Sequence, residues 1–255
     1  MAFPTRKDFC GLASVSSLSS AIRCNGGDED ISVTPYEPTG QKGDIVAIET
    51  YGENATVSNS YDIKTDLDVD DGDIKLNSVV AITEGTGNGA VTKKYALESF
   101  TISTSNNGTP TLSAQGKQVE SGADNATQCL VSVPAFEVSK KHHAQILFAA
   151  FDMGTTGCDL IECSATVGGQ IDVDVGEEGI LGSDIKAAKI TVQGKILKHG
   201  SANPVVTVAS GWKITKPLSL SSPAGQYEEY SFTVEKKLAK DEESSASSGT
   251  PSSGT

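Results

Sequence analysis

Apolar and polar residues alternate with a period of two along several segments, and this spacing predicts β-strands. The clearest segment is 61–70, where apolar positions fall on one face and aspartates on the other. The residues predicted to face the subunit core are Ile63, Leu67, Val69, Ile171, Val173 and Val175. The acids predicted on the opposite face are Asp66, Asp68, Asp70, Asp172 and Asp174. Because the period is two, burial of one set requires exposure of the other.

Turn residues predict how these strands continue. Asp71-Gly72 follows the first acidic strand, and glycine adopts positive φ angles without steric cost, so a tight turn is expected there. Ile74, Leu76 and Val80 then predict a returning strand, which makes 61–80 a hairpin. A second acidic strand pair is predicted over 170–197.

One segment, 139–152, has a helical period instead. Ser139 is a suitable N-cap, and Gly154 follows as a stop signal. The apolar stripe at helical spacing consists of Ala144, Leu147, Ala150 and Phe151. The sequence therefore predicts strands, one α-helix near 139–152, and strands again.

The domain organisation follows from composition shifts. Residues 1–44 predict an irregular N-terminal arm, 45–240 a β domain, and 241–255 a flexible tail rich in serine, glycine and threonine. Within the β domain, 55–120 and 165–235 resemble each other in the order of strand and turn signals. Two interpretations remain open: a duplicated half, or two hairpins that share only turn chemistry.

Charge and cysteine content limit the functional classes. The formal net charge is −13, which disfavours tight binding of nucleic acid or of anionic lipid, since both need a basic surface. The first 27 residues lack a continuous apolar stretch, so no signal peptide is predicted. The five cysteines, an odd number at scattered positions, are expected to be free thiols in a reducing cytoplasm.

The sequence carries no convincing catalytic or cofactor motif. The acidic run 66–72 has glycine at the wrong position for an EF-hand loop, and the glycine-rich segment 84–89 lacks the Lys-Ser/Thr ending of a phosphate-binding loop. The histidines and cysteines lack zinc-site spacing. We therefore predict no catalytic residues, no metal and no cofactor.

The layout resembles the tail tube proteins of long-tailed bacteriophages. The resemblance covers about 45–240 and consists of strands, a single helix, strands, glycine-rich loops and acidic hairpins. The stretch 211–235 also resembles phage structural proteins of this kind. The resemblance implies a mainly β fold of two packed antiparallel sheets, a sandwich or partial barrel, with one flanking helix.

The same resemblance implies a non-enzymatic virion protein. Six subunits, or three if the chain is duplicated, join their sheets into a ring, and rings stack into a tube through which DNA passes unbound. The five acids named above are then expected to line the lumen. The expected partners are other copies of the chain and other phage tail proteins, with no membrane. The expected location is the virion tail, assembled in the host cytoplasm.

Two alternatives belong to other classes. One is a capsid-decorating or host-surface-binding β-sandwich, which would not polymerise. The other is a β-rich hydrolase that uses Asp66, Asp68 or Asp172 as paired carboxylates, which requires these acids to converge in a cleft.

Overall fold

A computed structural model describes residues 7–36, 49–84, 90–106, 108–119, 129–139, 145–148, 151–152, 157–176, 179–220 and 227–241. Helical structure in these ranges consists of a 3₁₀ turn (Leu12–Ser14) and one short helix, α1 (Ser16–Ser19). The strands are β1 (Ile22–Tyr36), β2 (Glu49–Ile63), β3 (Leu67–Val69), β4 (Lys75–Leu76), β5 (Val79–Glu84), β6 (Val91–Ser105), β7 (Thr111–Val119), β8 (Val131–Ser132), β9 (Phe136–Ser139), β10 (Gln145–Leu147), β11 (Phe151–Asp152), β12 (Cys158–Gly176), β13 (Gly179–Lys198), β14 (Thr207–Val208), β15 (Trp212–Leu220) and β16 (Glu228–Lys237).

Most strands belong to one large sheet of nine strands. Eight of them follow the order β1-β2-β7-β6-β12-β13-β16-β15, and β5 pairs with β6 outside this path. Every pair in the sheet is antiparallel. The prediction of a mainly β, antiparallel fold is confirmed.

The large sheet consists of two units with the same strand order. The first unit is β1-β2-β7-β6 and the second is β12-β13-β16-β15. In each unit the first two strands form a hairpin, and the next two add to it in reverse order. The units join edge to edge where β6 pairs with β12, over 99–105 and 162–168. This arrangement leaves β1 and β15 as the outer strands of the path.

Irregularities in strand pairing fall at matching places in the two units. The register shifts at Asn25 in β1 and at Ile161 in β12. If Asn25 and Ile161 are taken as equivalent residues, the cross-strand pairs within each unit make Glu98 of β6 equivalent to Thr215 of β15. Both strands have a bulge at that position. The two units therefore correspond closely, with one extra residue in β15 between Lys216 and Ser219, where a further register shift has no counterpart in β6.

The observed correspondence has a different register from the one predicted over 55–120 and 165–235, because Ala165 of β12 corresponds to Glu29 of β1 and not to Ala55 of β2. Shared turn chemistry does not produce matching bulges in the middle of separate strands. The topology therefore favours the duplication over the alternative, while a common origin of the two halves stays a prediction.

A second layer covers the apolar face of the large sheet. Its main part is a three-stranded sheet with the order β10-β9-β3. Phe136 of β9 links the layers: its ring centroid lies 6.2 Å from that of Phe100 on β6 and 4.9 Å from that of Phe148, next to β10. Trp212 continues this row, 6.0 Å from Phe148.

The prediction of an irregular arm over 1–44 is wrong for residues 7–36. β1 pairs with β2 along its whole length. The segment before it is anchored by buried Phe9, Leu12 and Leu18, and by the side chain of Asn59. That amide accepts from the backbone N–H of Cys10 (3.1 Å) and donates to two backbone carbonyls. The many serines and glycines of this segment weakened its sequence signal for regular structure, and contacts with residues distant in sequence hold it in place.

The helix predicted near 139–152 is also wrong where the structure describes this stretch. β9 and β10 form a hairpin in which Ile146 pairs with Val138. Both residues are buried, as is Phe148, so the apolar side chains alternate with the strand period. The helical stripe was a weak local preference, and burial against the large sheet overrides it. Residues 140–144, 149–150 and 153–156 lie outside the described ranges.

The turn predicted at Asp71-Gly72 is present, but the hairpin over 61–80 is not. Gly72 has φ 78°, and the N–H of Asp73 donates to the carbonyl of Asp70 at 3.2 Å. β3 nevertheless pairs with β9, β4 with β8, and β5 with β6. After the turn the chain therefore does not pair with β3: β4 pairs with a strand distant in sequence, and β5 pairs with the next strand, β6.

Asp241, the first residue of the predicted C-terminal tail, is bound to the fold. Asp241 accepts hydrogen bonds from the backbone N–H and the hydroxyl of Ser132, at 3.0 and 2.9 Å. Residues 242–255 lie outside the described residues.

Candidate functional site

The most extensive polar feature is the side of the large sheet that faces away from the core. Its centre consists almost wholly of small uncharged side chains, which alternate with buried apolar residues along each strand. We call this surface the hydroxyl face. Its members are Ser58, Ser60, Ser99, Thr101, Ser103, Ser113, Gln115, Ser164, Thr166, Gln193, Ser231 and Thr233.

The hydroxyl face continues across the junction of the two units. Thr101 of β6 and Thr166 of β12 are direct cross-strand partners, and their hydroxyl oxygens lie 3.0 Å apart. A groove of about 610 Å³ follows this face over the second unit, where Ser103, Ser164 and Thr233 are among its lining residues. The face is therefore concave as well as polar.

Two lysines of β13 at the border of the hydroxyl face are paired with carboxylates. Lys195 on β13 lies 3.1 Å from Glu162 and 3.9 Å from Glu229. Lys189 lies 3.0 Å from Glu235. These lysines face carboxylates of neighbouring strands, so their charge is already compensated before any phosphate approaches.

The first group of predicted lumen acids lies in the second layer. Asp66, Asp68 and Asp70 are exposed, while Leu67 and Val69 between them are buried. Asp68 is on β3, whose apolar side packs toward the large sheet. Its carboxylate therefore points away from the large sheet. Ile63, at the end of β2, is fully buried.

The second group lies at the far end of β12. Ile171 is buried and Val173 is partly buried against the core. Asp172 is half-exposed, and its carboxylate accepts a hydrogen bond of 2.5 Å from Lys186. That hydrogen bond lowers the pKa of Asp172. The side chains of Asp174 and Val175 lie outside the described part of the structure.

The structure does not bring the two acidic groups onto one surface. Asp68 belongs to the three-stranded sheet and Asp172 to the large sheet. Of the two predicted acidic strand pairs, the one over 170–197 is present as β12 and β13, whereas β3 in the other pairs with β9. The same separation keeps Asp66 and Asp68 away from Asp172, so the three acids of the hydrolase alternative do not share a cleft.

Metal-ligating groups show no clustering in the part of the chain that the structure describes. All five cysteines are free thiols, and Cys10 and Cys163 are buried. Burial raises the pKa of Cys10 to about 12, with the nearby Asp8 adding to the effect, and burial also raises the pKa of Cys163 to about 12. Neither thiol is poised for nucleophilic chemistry, which requires the thiolate.

These thiols give a first testable expectation. Alkylation without reductant should add five adducts to the denatured chain, as measured by intact mass. In the native protein Cys10 and Cys163 should react last, because a pKa rise from 9.0 to about 12 lowers the thiolate fraction about 1,000-fold. Fewer than five adducts on the denatured chain would reveal a disulfide and contradict the free-thiol assignment.

The two outer strands of the large sheet are candidate functional edges that were not predicted from the sequence. Among described residues, β1 pairs only with β2, and β15 only with β16. Exposed large apolar side chains occur on both, namely Ile31 on β1, and Ile214 and Leu220 on β15. Pro217 on β15 was an available signal, since proline within a strand indicates an edge.

Comparison with models of known protein families gives no match, and comparison with curated protein sequences gives none. Among the described residues, no helix is long and apolar enough to cross a membrane. Three features of the large sheet bear on function: the concave hydroxyl face, the two repeated units and the two outer edges.

Proposed function

We propose that the protein is a non-enzymatic virion structural protein, the subunit of a phage tail tube, whose large sheets join edge to edge around a DNA channel. The observation that carries the proposal is the junction of β6 with β12. Within one chain, two like units are already joined edge to edge into a single sheet. Repetition of the same junction between chains continues the sheet and removes its open edges, as ring closure does in oligomers.

The number of units favours a ring of three chains. Tail tube rings contain six such units in the family that the sequence resembles, and this chain contains two. Three copies of the eight-strand path supply about 24 strands. At a strand spacing of about 4.8 Å and a tilt of about 40°, the barrel has a diameter of about 45–50 Å between backbones. Such a barrel leaves room for a DNA duplex.

The hydroxyl face is the surface that this proposal assigns to the lumen. A channel for DNA has to avoid holding phosphates, and tight binding needs lysines and arginines that displace counterions. The centre of the hydroxyl face offers hydroxyls and amides, and Lys189 and Lys195 at its border are paired with carboxylates. DNA would then pass without being bound. The acids Asp66, Asp68 and Asp70 would lie on the outer surface of the ring.

The remaining parts of the proposal follow from a tail tube role. The partners are other copies of the chain and other tail proteins, the location is the virion tail, and assembly takes place in the host cytoplasm. No membrane, metal or cofactor takes part.

Negative-stain electron microscopy of the purified full chain, over a range of protein concentrations, tests the proposal directly. We expect rings with a central hole, and tubes of stacked rings at high concentration. Particles that stay monomeric would contradict a tube and favour the capsid-decorating or host-binding module. Mass photometry of the same samples should give three chains per ring.

A further inference from the structure

We infer that β15 of one copy pairs antiparallel with β1 of a second copy, in the register that β6 and β12 use inside the chain. The proposed ring depends on these two edges, and the inference states which strand each edge pairs with and in which register. It rests on the correspondence of the two units, in which β15 is equivalent to β6 and β1 is equivalent to β12.

The internal junction supplies the register. In it, Thr101 of β6 is the direct partner of Thr166 of β12. Following the cross-strand pairs, Thr101 corresponds to Ser219 of β15, because their partners Ser113 and Ser231 are equivalent. By the same procedure Thr166 corresponds to Asp30 of β1. Ser219 of one copy is therefore expected opposite Asp30 of the next.

Burial at equivalent positions indicates that the outer strands lack a neighbour among the residues that the structure describes. Ile31 on β1 is 46% exposed, whereas the equivalent Val167 on β12 is 0% exposed. Leu220 on β15 is 57% exposed, whereas the equivalent Ile102 on β6 is 0% exposed. In the internal junction, Val167 and Ile102 are diagonal neighbours on the core side of the sheet. The inferred register places Ile31 and Leu220 in the same relation, so each covers the other.

The charges of the two edges are complementary. β15 carries Lys213 and Lys216 and no acid, while the middle of β1 carries Asp28, Glu29 and Asp30. Glu29 is already bound within its own subunit, by Lys93 at 2.7 Å and the hydroxyl of Tyr95 at 2.6 Å. Lys216 corresponds to Ser99 of β6, and the extra residue of β15 between Lys216 and Ser219 forms a bulge. With that bulge kept, Lys216 is a diagonal neighbour of Asp30 on the polar side of the sheet, within reach of a lysine side chain.

Because of these charges, pairing of β1 with β15 is more favourable than pairing of either strand with the same strand of a second copy. Pairing of β1 with a second β1 would place acids against acids, and pairing of β15 with a second β15 would place lysines against lysines. Like charges on neighbouring strands are unfavourable. The contact is therefore head to tail, which produces a closed ring or an open filament rather than an isolated dimer.

Thiol crosslinking between two variants of the full chain tests the register. A chain with Asp30→Cys is mixed with a chain carrying Ser219→Cys, and a short bifunctional thiol reagent is added. The matched control replaces Asp30→Cys with Asp28→Cys, which lies on the same strand and face but two residues away. Circular dichroism first checks that each variant folds, and the native chain measures crosslinking by its own cysteines.

We expect crosslinked dimers in the Asp30 mixture to exceed those in the Asp28 mixture at least five-fold. Equal yields in the two mixtures, or no yield above that of the native chain, would overturn the inferred register.

A second comparison uses charge reversal. Asp30→Lys and Lys216→Glu should each weaken self-association about five-fold, and the two together in one chain should restore it. Failure of the double variant to restore association would contradict the diagonal contact.

Microscopy of the crosslinked sample separates this inference from the proposed function. Crosslinking at the expected pair in open filaments without a closed ring would leave the edge pairing intact and contradict the tail tube. Closed rings and tubes that form without this crosslink would support the tube and overturn the edge pairing.

Discussion

Two lysines on the hydroxyl face should make the assembled protein retain duplex DNA. Ser103→Lys and Ser113→Lys, combined in one chain, place cations at exposed positions on β6 and β7. In the proposed ring of three they supply about six cations to the lumen. Each phosphate contact releases counterions, so affinity should rise steeply and fall again as salt is added.

Fluorescence anisotropy of a short DNA duplex, mixed with assembled protein at two salt concentrations, measures this effect. We expect no retention by the native assembly at about 0.15 M salt, and at least ten-fold tighter binding by the double variant. The increase should be lost at higher salt, because counterion release drives it.

Asp68→Lys is the matched control, since it changes the charge of the chain by the same two units. Asp68 lies on β3 in the second layer and would face the outside of the ring. This variant should leave DNA retention close to that of the native assembly. If Asp68→Lys retained DNA and the double serine variant did not, the second layer would line the channel and the hydroxyl face would be external.

Replacing Phe136 with alanine should cause a large loss of stability. Its ring is almost fully buried and lies between Phe100 of the large sheet and Phe148 next to β10. Removal of such a ring loses its burial energy and leaves a cavity between the two layers. For a buried phenylalanine this costs about 3–5 kcal/mol of unfolding free energy.

Urea denaturation, followed by the fluorescence of Trp212, measures the change. Phe136→Leu retains most of the volume and should cost clearly less. Tyr227 is exposed, so Tyr227→Ala should change the unfolding free energy by no more than about 0.5 kcal/mol. A loss below about 1 kcal/mol for Phe136→Ala would mean that the small sheet contributes little to the fold.

The alternation of buried and exposed residues along a strand is a local property, and it could be predicted from the sequence. Leu67 and Val69 are buried beside exposed Asp66, Asp68 and Asp70, as alternation requires. The positive φ of Gly72 follows equally from the chain, because only glycine adopts that conformation without strain. Local sterics and the two-residue repeat thus predicted the mainly β class and the position of this turn.

Strand partners were decided by contacts between residues distant in sequence. The turn at Gly72 did not make a hairpin, since β3 packs best beside β9, about 70 residues further along the chain. The segment around Ile146 shows the same effect. Its helical stripe was real, but a strand that buries Ile146 and Phe148 against Phe136 gains more from packing than a short helix gains from propensity.

The sequence determined which residues alternate, where one turn lies, and that the chain is acidic with scattered cysteines. The tertiary structure decided that its two halves are equivalent four-strand units joined through β6 and β12, and that the hydroxyl face, rather than the aspartates, forms the continuous polar surface. The physical reason is that alternation assigns each residue to a face but not to a sheet. Which faces and edges meet depends on packing over the whole chain, and it is this packing that leaves β1 and β15 at the edges.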